Sequence, residues 1–267
     1  MVNHTGLGVD SMKKLLIAAT LFGLSSVPAL AADLAARPYT KAPPMVVQAY
    51  SWSGFYIGAN VGGGWSTATL TDITNNAAFA GMVPGQVFSN GMSGVVGGGQ
   101  IGYNMQMSNW VVGIEAMYDA SGMTHSQFAP TPPPGDDLFT TKVRSVFTLT
   151  GKLGYAMNNW LAYAKGGYAG GDVRVTVSDT NAAGGSPVGS GAGSSWRSGY
   201  TLGAGLEYGF APNWSAALEY DYAKLKSDSY NLGDATGSYI VDAKVRDIHM
   251  LTARVNYRFG GPVVAKY

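Results

Sequence analysis

Gly151-Lys-Leu-Gly-Tyr-Ala-Met-Asn-Asn-Trp160 is the stretch that decides the fold of this chain. It holds small and apolar residues ending in Tyr, a short polar turn, and an Asn-Trp pair that opens another alternating run. The phrase recurs as Gly99-Gln-Ile-Gly-Tyr103 with Asn109-Trp110, as Ala204-Gly-Leu-Glu-Tyr208 with Asn213-Trp214, and partly as Ala253-Arg-Val-Asn-Tyr257. Such recurrence indicates one supersecondary unit used several times. A Tyr closing one strand and a Trp opening the next place both rings at one rim of a sheet, where barrels mark a membrane interface.

The chain carries few charges for its length. It has 267 residues, of which 12% are charged, with 38 Gly, 16 Tyr, no Cys and a net charge of +1. Charged residues make up about 25% of a typical soluble domain, so much of this surface is expected to face something other than water. A net charge near zero disfavours a nucleic-acid partner. The absence of Cys excludes disulfides and thiolate metal sites.

The N-terminus has the pattern of an export signal. The basic Met12-Lys13-Lys14 precedes an apolar run from Leu15 to Leu24 and an Ala29-Leu30-Ala31 cleavage pattern. We expect residues 1–31 to form a signal peptide, with Met12 as a candidate true start. A membrane anchor is the alternative, but the apolar run is shorter than the roughly 20 residues that a spanning helix needs. An exported chain without spanning helices can span a membrane as a closed β-barrel, because a closed barrel pairs every backbone N–H and C=O group.

Period-two alternation predicts the strands. In the strand ending at Tyr155, Leu153 and Phe147 share one face, whereas Lys152 and Thr150 share the other. The predicted strands lie near residues 52–64, 93–105, 110–121, 141–156, 160–177, 196–210, 214–226 and 244–259. The fold prediction is therefore an all-β, eight-stranded antiparallel up-and-down transmembrane β-barrel with an apolar outside and a polar interior. It occupies residues 51–267, after a periplasmic linker at 32–50.

The predicted connections alternate between short and long. Those at 106–109, 157–159 and 211–213 are short, and those at 65–92, 122–140, 178–195 and 227–243 are long. Outer-membrane barrels have short periplasmic turns and long external loops. The pattern thus predicts both the orientation of the barrel and its location in the cell outer membrane.

Charged residues recur in the inward phase of the predicted strands. Mixed charges in a narrow interior are expected to pair, because an unpaired buried charge is costly. Two interpretations remain open: a lining that selects ions, and a salt-bridged plug, which we favour because eight strands leave an interior that side chains can fill. The predicted lumen charge network comprises Glu115, Arg144, Lys152, Lys165, Glu207, Glu219, Asp221, Arg246, Arg254 and Arg258.

Catalytic and metal sites receive weaker support. His125, Asp119 and Ser126 have the residue types of a Ser-His-Asp catalytic triad, but such a combination arises by chance in any Ser-rich loop. His249 lies in the outward phase of the last strand, a poor position for a general base. The acids Asp136, Asp137 and Asp234 lack cation-binding spacing, so we expect no catalytic residue, metal or cofactor.

The repeated aromatics are interpreted as an interfacial girdle rather than a ligand-stacking patch. Their positions at corresponding strand ends favour this interpretation. The predicted girdle comprises Tyr103, Trp110, Tyr155, Trp160, Tyr208, Trp214 and Tyr257.

The first strand reads Tyr50-Ser-Trp52-Ser-Gly54-Phe55-Tyr56-Ile57-Gly58-Ala-Asn60-Val-Gly62, and the last ends Asn256-Tyr257-Arg258-Phe259. With the Asn-Trp repeats, these phrases resemble the outer-membrane immunogenic or opacity-like β-barrel proteins. These are small "porin family" surface antigens of alphaproteobacteria such as rhizobia and brucellae, and the resemblance covers nearly the whole mature chain.

The resemblance implies an eight-stranded barrel that supports envelope integrity and exposes antigenic loops. It carries over no catalytic residues, and porin activity does not follow from the fold. It also implies an assembly signal for the barrel-assembly machinery in a terminal aromatic strand, with Tyr257 and Phe259 in that role and Tyr267 as the alternative.

We therefore expect a surface protein with a structural and surface-interaction role. A narrow porin for small hydrophilic solutes or ions is the alternative, followed by an enzyme of envelope lipids acting at the rim. The expected partners are outer-membrane lipids, the barrel-assembly machinery and extracellular ligands at the loops.

Overall fold

A computed structural model describes residues 50–72, 87–128, 137–179, 191–231 and 240–260. The predicted signal peptide, the linker except Tyr50, and Tyr267 lie outside the described residues. So do Asp136 and Asp234, and the side chain of Asp137. None of the described residues forms a helix long and apolar enough to cross a membrane.

The described residues form ten strands joined in one antiparallel sheet. In chain order these are β1 (Gly54–Asp72), β2 (Val87–Met107), β3 (Trp110–Ser121), β4 (Thr124–Phe128), β5 (Asp137–Met157), β6 (Trp160–Asp179), β7 (Gly191–Ala211), β8 (Trp214–Leu225), β9 (Asp228–Asn231) and β10 (Ile240–Phe259).

The sheet closes on itself. Its order is β1-β10-β8-β7-β6-β5-β3-β2, and β2 pairs again with β1. The short β4 continues β3 beyond Gly122-Met123 and pairs with β2 and β5, while β9 continues β8 and pairs with β10. Ten strands therefore make eight barrel positions, and the predicted eight-stranded barrel is confirmed.

Several strands run further than the sequence pattern predicted. β1 reaches Asp72, β2 begins at Val87, and β4 lies inside the predicted 122–140 loop. β6 extends two residues into the predicted 178–195 loop, to Asp179, and β7 begins five residues before the end of that loop, at Gly191. Polar residues such as Thr67, Ser89 and Ser126 interrupt the exposed face of these ends, so they lack the regular apolar alternation by which the strands were recognised.

The Asn of each Asn-Trp pair fastens one hairpin to the next. Asn109 Nδ2 donates to the Ala156 carbonyl oxygen at 2.9 Å, and the Ala156 N–H donates back to the Asn109 carbonyl oxygen at 2.6 Å. Asn159 makes the same pair of bonds with Gly209, and Asn213 makes it with Arg258. The repeat therefore satisfies backbone groups around the turn end of the barrel, defined by residues 108–109, 158–159 and 212–213.

The predicted girdle residues all lie on the outer wall at the turn end. Rings pair between neighbouring strands: Trp110 with Tyr155 at 5.4 Å, Trp160 with Tyr208 at 4.7 Å, and Trp214 with Tyr257 at 5.1 Å between centroids. Tyr103 pairs with Phe55 at 4.7 Å, a partner that the repeat did not reveal.

A second aromatic belt circles the opposite, loop end of the barrel. Eight residues separate Trp110 from Tyr118 and Trp160 from Tyr168, which is about 26 Å along a strand and about 20 Å along the axis of a barrel with strands tilted by about 40°. This spacing suits an apolar band in an outer membrane, which is about 25 Å tall. The loop-end belt comprises Trp65, Tyr118, Tyr168, Tyr200, Tyr220, Tyr222 and His249.

Two adjacent glycines of β1 should respond oppositely to Ala. A Cβ on Gly62 would overlap the Leu251 carbonyl oxygen of the paired strand, whereas a Cβ on Gly63 would meet nothing within 4 Å. We expect Gly62→Ala to lower the free energy of unfolding by about 1–3 kcal/mol, because the backbone must move apart. The matched Gly63→Ala should raise it by up to about 1 kcal/mol, because Gly is unfavourable within a strand. Urea titration in detergent micelles measures both, and equal losses would contradict the close approach at Gly62.

Candidate functional site

The lumen of the barrel is filled by side chains in three layers. Following β3 from the turn end, Val111 belongs to the first layer, Glu115 to the second and Met117 to the third. The middle layer is ionic, and each outer layer holds an apolar cluster. The predicted polar interior therefore holds most fully in the middle of the barrel, although buried polar side chains such as Asp119 and Glu207 also lie nearer its two ends.

The turn-end layer is built around a residue that precedes the first strand. Trp52 is 1% exposed, and its ring lies 4.5 Å from that of Tyr50. The Trp52 N–H donates to Gln106 Oε1 at 2.8 Å, which holds the incoming chain against β2. The layer comprises Tyr50, Trp52, Val111, Ala156, Leu161 and Tyr163.

The ionic layer joins three carboxylates to three cations, namely Glu115, Glu219 and Asp221 with Lys152, Lys165 and Arg254. All six are almost completely buried. Because each strand presents its inward residues at the same height, charges from five strands meet at one level of the lumen.

Lys165 and Arg254 connect the carboxylates of the ionic layer. Lys165 Nζ lies 2.7 Å from Glu219 Oε1 and 3.2 Å from both Glu115 Oε1 and Asp221 Oδ1. Arg254 Nη2 lies 2.6 Å from Glu115 Oε2, and its Nη1 contacts Glu219 Oε2. Each cation thus bridges carboxylates on different strands, which is the pairing that a dry interior requires.

Two inward tyrosines contact the ionic layer, and one of them, Tyr163, also belongs to the turn-end layer. Tyr56 donates its hydroxyl to Glu115 Oε2 at 2.7 Å and accepts from Lys152 Nζ at 3.0 Å. Tyr163 donates to Glu219 Oε2 at 2.6 Å, and Lys152 Nζ lies 4.4 Å from the centroid of its ring.

A chain of buried hydrogen bonds runs beside the ionic layer. Asn60 Nδ2 donates to Asp119 Oδ1 at 2.8 Å and to Gln100 Oε1 at 3.1 Å. Gln100 Nε2 donates to Asn256 Oδ1 at 2.8 Å, and Asn256 Nδ2 donates to Glu207 Oε1 at 2.9 Å. Polar contacts therefore extend through the lumen without replacing the apolar layers at either end.

The loop-end layer is a cluster of Met, Val and other apolar side chains. Six of the eight barrel positions direct these groups inward, so the layer caps the ionic groups on the side opposite Trp52. Its members are Met92, Val96, Met117, Met123, Val143, Val146, Ala169, Val173, Ala223, Leu225, Val245, Ile248 and Met250.

The structure describes the side chains of nine of the ten predicted lumen charges, and they fall into three groups. Six form the ionic layer. Glu207 and Arg258 are buried nearer the turn end, where Glu207 accepts from Ser215 at 2.5 Å and Arg258 stacks over the Tyr50 ring at 4.3 Å. The side chain of Arg246 lies outside the described residues.

The prediction for Arg144 is wrong. The β5–β6 register shifts between Val143 and Ser145, so a bulge reverses the inward phase of β5 beyond that point. Val143 and Ser145 are buried, whereas Arg144 is half-exposed on the outer wall, with Nη1 3.4 Å from Asp172 Oδ2. A bulge inserts one residue and re-aims the side chains around it, and strict counting from Tyr155 could not detect it.

The structure also adds residues that the sequence analysis missed. Asp119 and Tyr163 are buried in the lumen, and both share the inward phase of Glu115 and Lys165 on their strands. The same count that selected the charges would have found them. Trp52 was also missed, although it lies in the predicted strand 52–64 and shares the even-numbered phase of the inward Tyr56 and Asn60. The observed β1 begins two residues later, at Gly54.

The hypothetical triad is not assembled. Asp119 faces the lumen and accepts from Asn60, whereas Ser126 is exposed and bonds Thr140 Oγ1 at 2.9 Å. His125 precedes Ser126 in β4, so their side chains point to opposite faces of the sheet. His249 is stacked on Trp65, with ring centroids 5.7 Å apart, in the loop-end belt. Among the described residues, no cluster of three or more His, Cys, Asp or Glu could hold a metal ion.

Comparison with known proteins assigns the fold to a family. A family model for the outer membrane protein beta-barrel domain matches residues 17–259. The chain belongs to this family.

Curated relatives agree with this assignment. The 31 kDa outer-membrane immunogenic protein of Brucella melitensis biotype 1 is 31% identical over 252 residues, which cover 92% of this chain and 100% of that protein. The 22 kDa outer membrane protein of Rhizobium leguminosarum bv. viciae is 29% identical over 197 residues, covering 72% and 74%. Among solved structures, the outer membrane protein OprG from Pseudomonas aeruginosa aligns with 79% of this chain and 99% of its own, at 16% identity and a TM-score of 0.42.

The chain is therefore an outer-membrane β-barrel protein related to immunogenic outer-membrane proteins. The resemblance drawn from the strand-one and terminal phrases is confirmed, and so is the predicted location in the outer membrane.

Proposed function

We propose that this protein is a closed, non-conducting barrel with a structural and surface-interaction role in the outer membrane. The observation that carries the proposal is the three-layer filling of the lumen. An ion crossing the barrel would have to displace Trp52, separate charges that are buried against one another, and pass the apolar loop-end layer. This favours the plug over the selective lining and over a narrow porin.

The surface role is supported by the length of the strands. A membrane-spanning β-strand needs about 9–11 residues, whereas β5, β6 and β7 have 21, 20 and 21. About half of each strand therefore extends beyond the loop-end belt, on the side that faces away from the cell in barrels with short periplasmic turns. We infer that extracellular ligands meet this projecting rim and the loops it carries.

The role is non-enzymatic in this proposal. The separation of His125 from Ser126 removes the one nucleophile and base that the sequence had suggested. The proposed partner during membrane insertion is the barrel-assembly machinery, acting on β10. Phe259 ends this strand and pairs with Phe55 of β1, so the proposed assembly signal at Tyr257 and Phe259 lies where the ring closes.

Conductance tests the proposal. Purified wild-type protein, shown to be folded by a heat-dependent shift in gel mobility, should give no single-channel steps in planar bilayers. A wide porin reconstituted in the same way controls for insertion. Defined single-channel steps from the folded protein would overturn the plug and favour the porin.

A deletion strain tests the structural role in cells. It should keep its uptake of small solutes and become more sensitive to detergents, and the reverse result would contradict the structural role.

A further inference from the structure

Within the described residues, the exposed cations are confined to one end of the outer wall. Among the side chains that the structure describes, none of the exposed ones between the two aromatic belts is charged, and none of the exposed ones at the turn end is cationic. The exposed cations that the structure describes all lie beyond the loop-end belt, and they are Lys142, Arg144, Arg174, Lys224 and Lys226. The asymmetry places positive charge where the head groups of the outer leaflet lie.

Three of these cations form a cluster on adjacent strands, and the bulge in β5 creates it. Lys142 and Arg144 would point into the lumen if the phase of β5 ran on from Tyr155, but the register shift between Val143 and Ser145 turns both outward. Arg174 of β6 is then the direct cross-strand partner of Lys142 on the same face. We call Lys142, Arg144 and Arg174 the cationic cluster.

This arrangement is unfavourable without an anion. Like charges directly opposite each other across a ladder destabilise a sheet, and Lys142 faces Arg174 in that way. Among the described side chains, Asp172 compensates only one of the three cations, since it lies 3.4 Å from Arg144, and the Arg144 side chain stays 51% exposed. Within this part of the chain, the charges of Lys142 and Arg174 therefore remain for a ligand.

The height of the cluster identifies the class of ligand. Arg144 lies three residues beyond Phe147, whose ring is 6.3 Å from that of Tyr168 in the loop-end belt. Side chains just beyond an aromatic belt meet lipid head groups rather than acyl chains. Arg binds phosphate through a planar fork of N–H donors and Lys binds it as a point charge, so the cluster combines both modes on one face.

We propose that the cationic cluster binds phosphoryl groups on the saccharide head group of an outer-leaflet glycolipid. In this proposal the bulge turns Lys142 and Arg144 from the lumen to the outer wall, and so creates the lipid-binding site there. The bound head group would screen Lys142 from Arg174 and tie the projecting part of β5 and β6 to the membrane surface.

Lipid titration tests this site. Wild-type barrel in zwitterionic detergent would be titrated with fluorescent bisphosphorylated lipid A and with the same lipid after its phosphates are removed. The double variant Lys142→Gln/Arg174→Gln should bind the phosphorylated lipid roughly thirtyfold more weakly than the wild type, from about fivefold per cation near an anionic surface. Binding of the dephosphorylated lipid should be weak and unchanged.

The matched control removes the same charge elsewhere on the outer wall. Lys224→Gln/Lys226→Gln on the β8 side should keep at least a third of the wild-type affinity. An equal loss in both double variants would overturn a local site in favour of diffuse attraction, and no loss in Lys142→Gln/Arg174→Gln would overturn the proposal outright. Saturable binding of inorganic phosphate alone, with displacement of the lipid, would assign the cluster to a soluble anion instead. A heat-dependent shift in gel mobility shows that each variant is folded.

Discussion

Arg254→Leu should destabilise the barrel by about 3–5 kcal/mol, the usual cost of removing one partner from a buried ion pair. Arg254 bridges Glu115 and Glu219, and its side chain is fully buried. Leu restores neither the charge nor the hydrogen bonds, so the ionic layer would keep three carboxylates against Lys152 and Lys165. Urea titration in detergent micelles, followed by gel mobility, measures the loss.

The chain offers a matched control for this prediction. Arg144 was expected in the same network, but the structure places it on the outer wall beside Asp172. Arg144→Leu should therefore change the free energy of unfolding by less than about 1 kcal/mol, as for exposed ion pairs. Comparable losses in Arg254→Leu and Arg144→Leu would contradict the assignment of these two residues to opposite faces of the sheet.

Charge balance can be separated from lost packing in the same experiment. Adding Glu219→Gln to Arg254→Leu leaves two carboxylates, Glu115 and Asp221, against two lysines. If uncompensated charge causes the destabilisation, the double variant should recover part of the loss. A double variant that is less stable than Arg254→Leu would show that hydrogen bonding to Glu219 matters more than balance.

The sequence predicted the barrel because the outer wall and the turn end obey local rules. Tyr155 and Trp160 mark the lipid interface, and the alternation between them and the lumen follows from the two-residue period of a strand. The Asn of each repeat also has a local role, since Asn159 bonds the next hairpin at Gly209. These features repeat along the chain, so a pattern in the sequence reveals them.

The parts that escaped prediction depend on contacts between distant strands. The bulge near Arg144 depends on how β5 pairs with β6, and nothing in the local sequence marks the change of phase. The apolar layers were missed because inward Val111 and Leu161 look the same, residue by residue, as lipid-facing ones. Only the closed ring brings them together with Trp52, which precedes the observed β1.

Trp52→Ala should also destabilise the barrel by about 3–5 kcal/mol, the range for removing a buried Trp side chain. Trp52 is 1% exposed and fills the turn end of the lumen against Tyr50. Its control is Trp110→Ala on the outer wall, where the Trp is 53% exposed and should contribute at most about 1.5 kcal/mol through its contact with Tyr155. Urea titration gives both values, and equal losses would contradict the placement of Trp52 in the lumen.

Conductance in planar bilayers adds a second measurement on the same variant. Trp52→Ala should show no single-channel steps, because the ionic and loop-end layers still close the barrel. Conductance in Trp52→Ala, with none in the wild type, would mean that the turn-end layer alone seals the lumen.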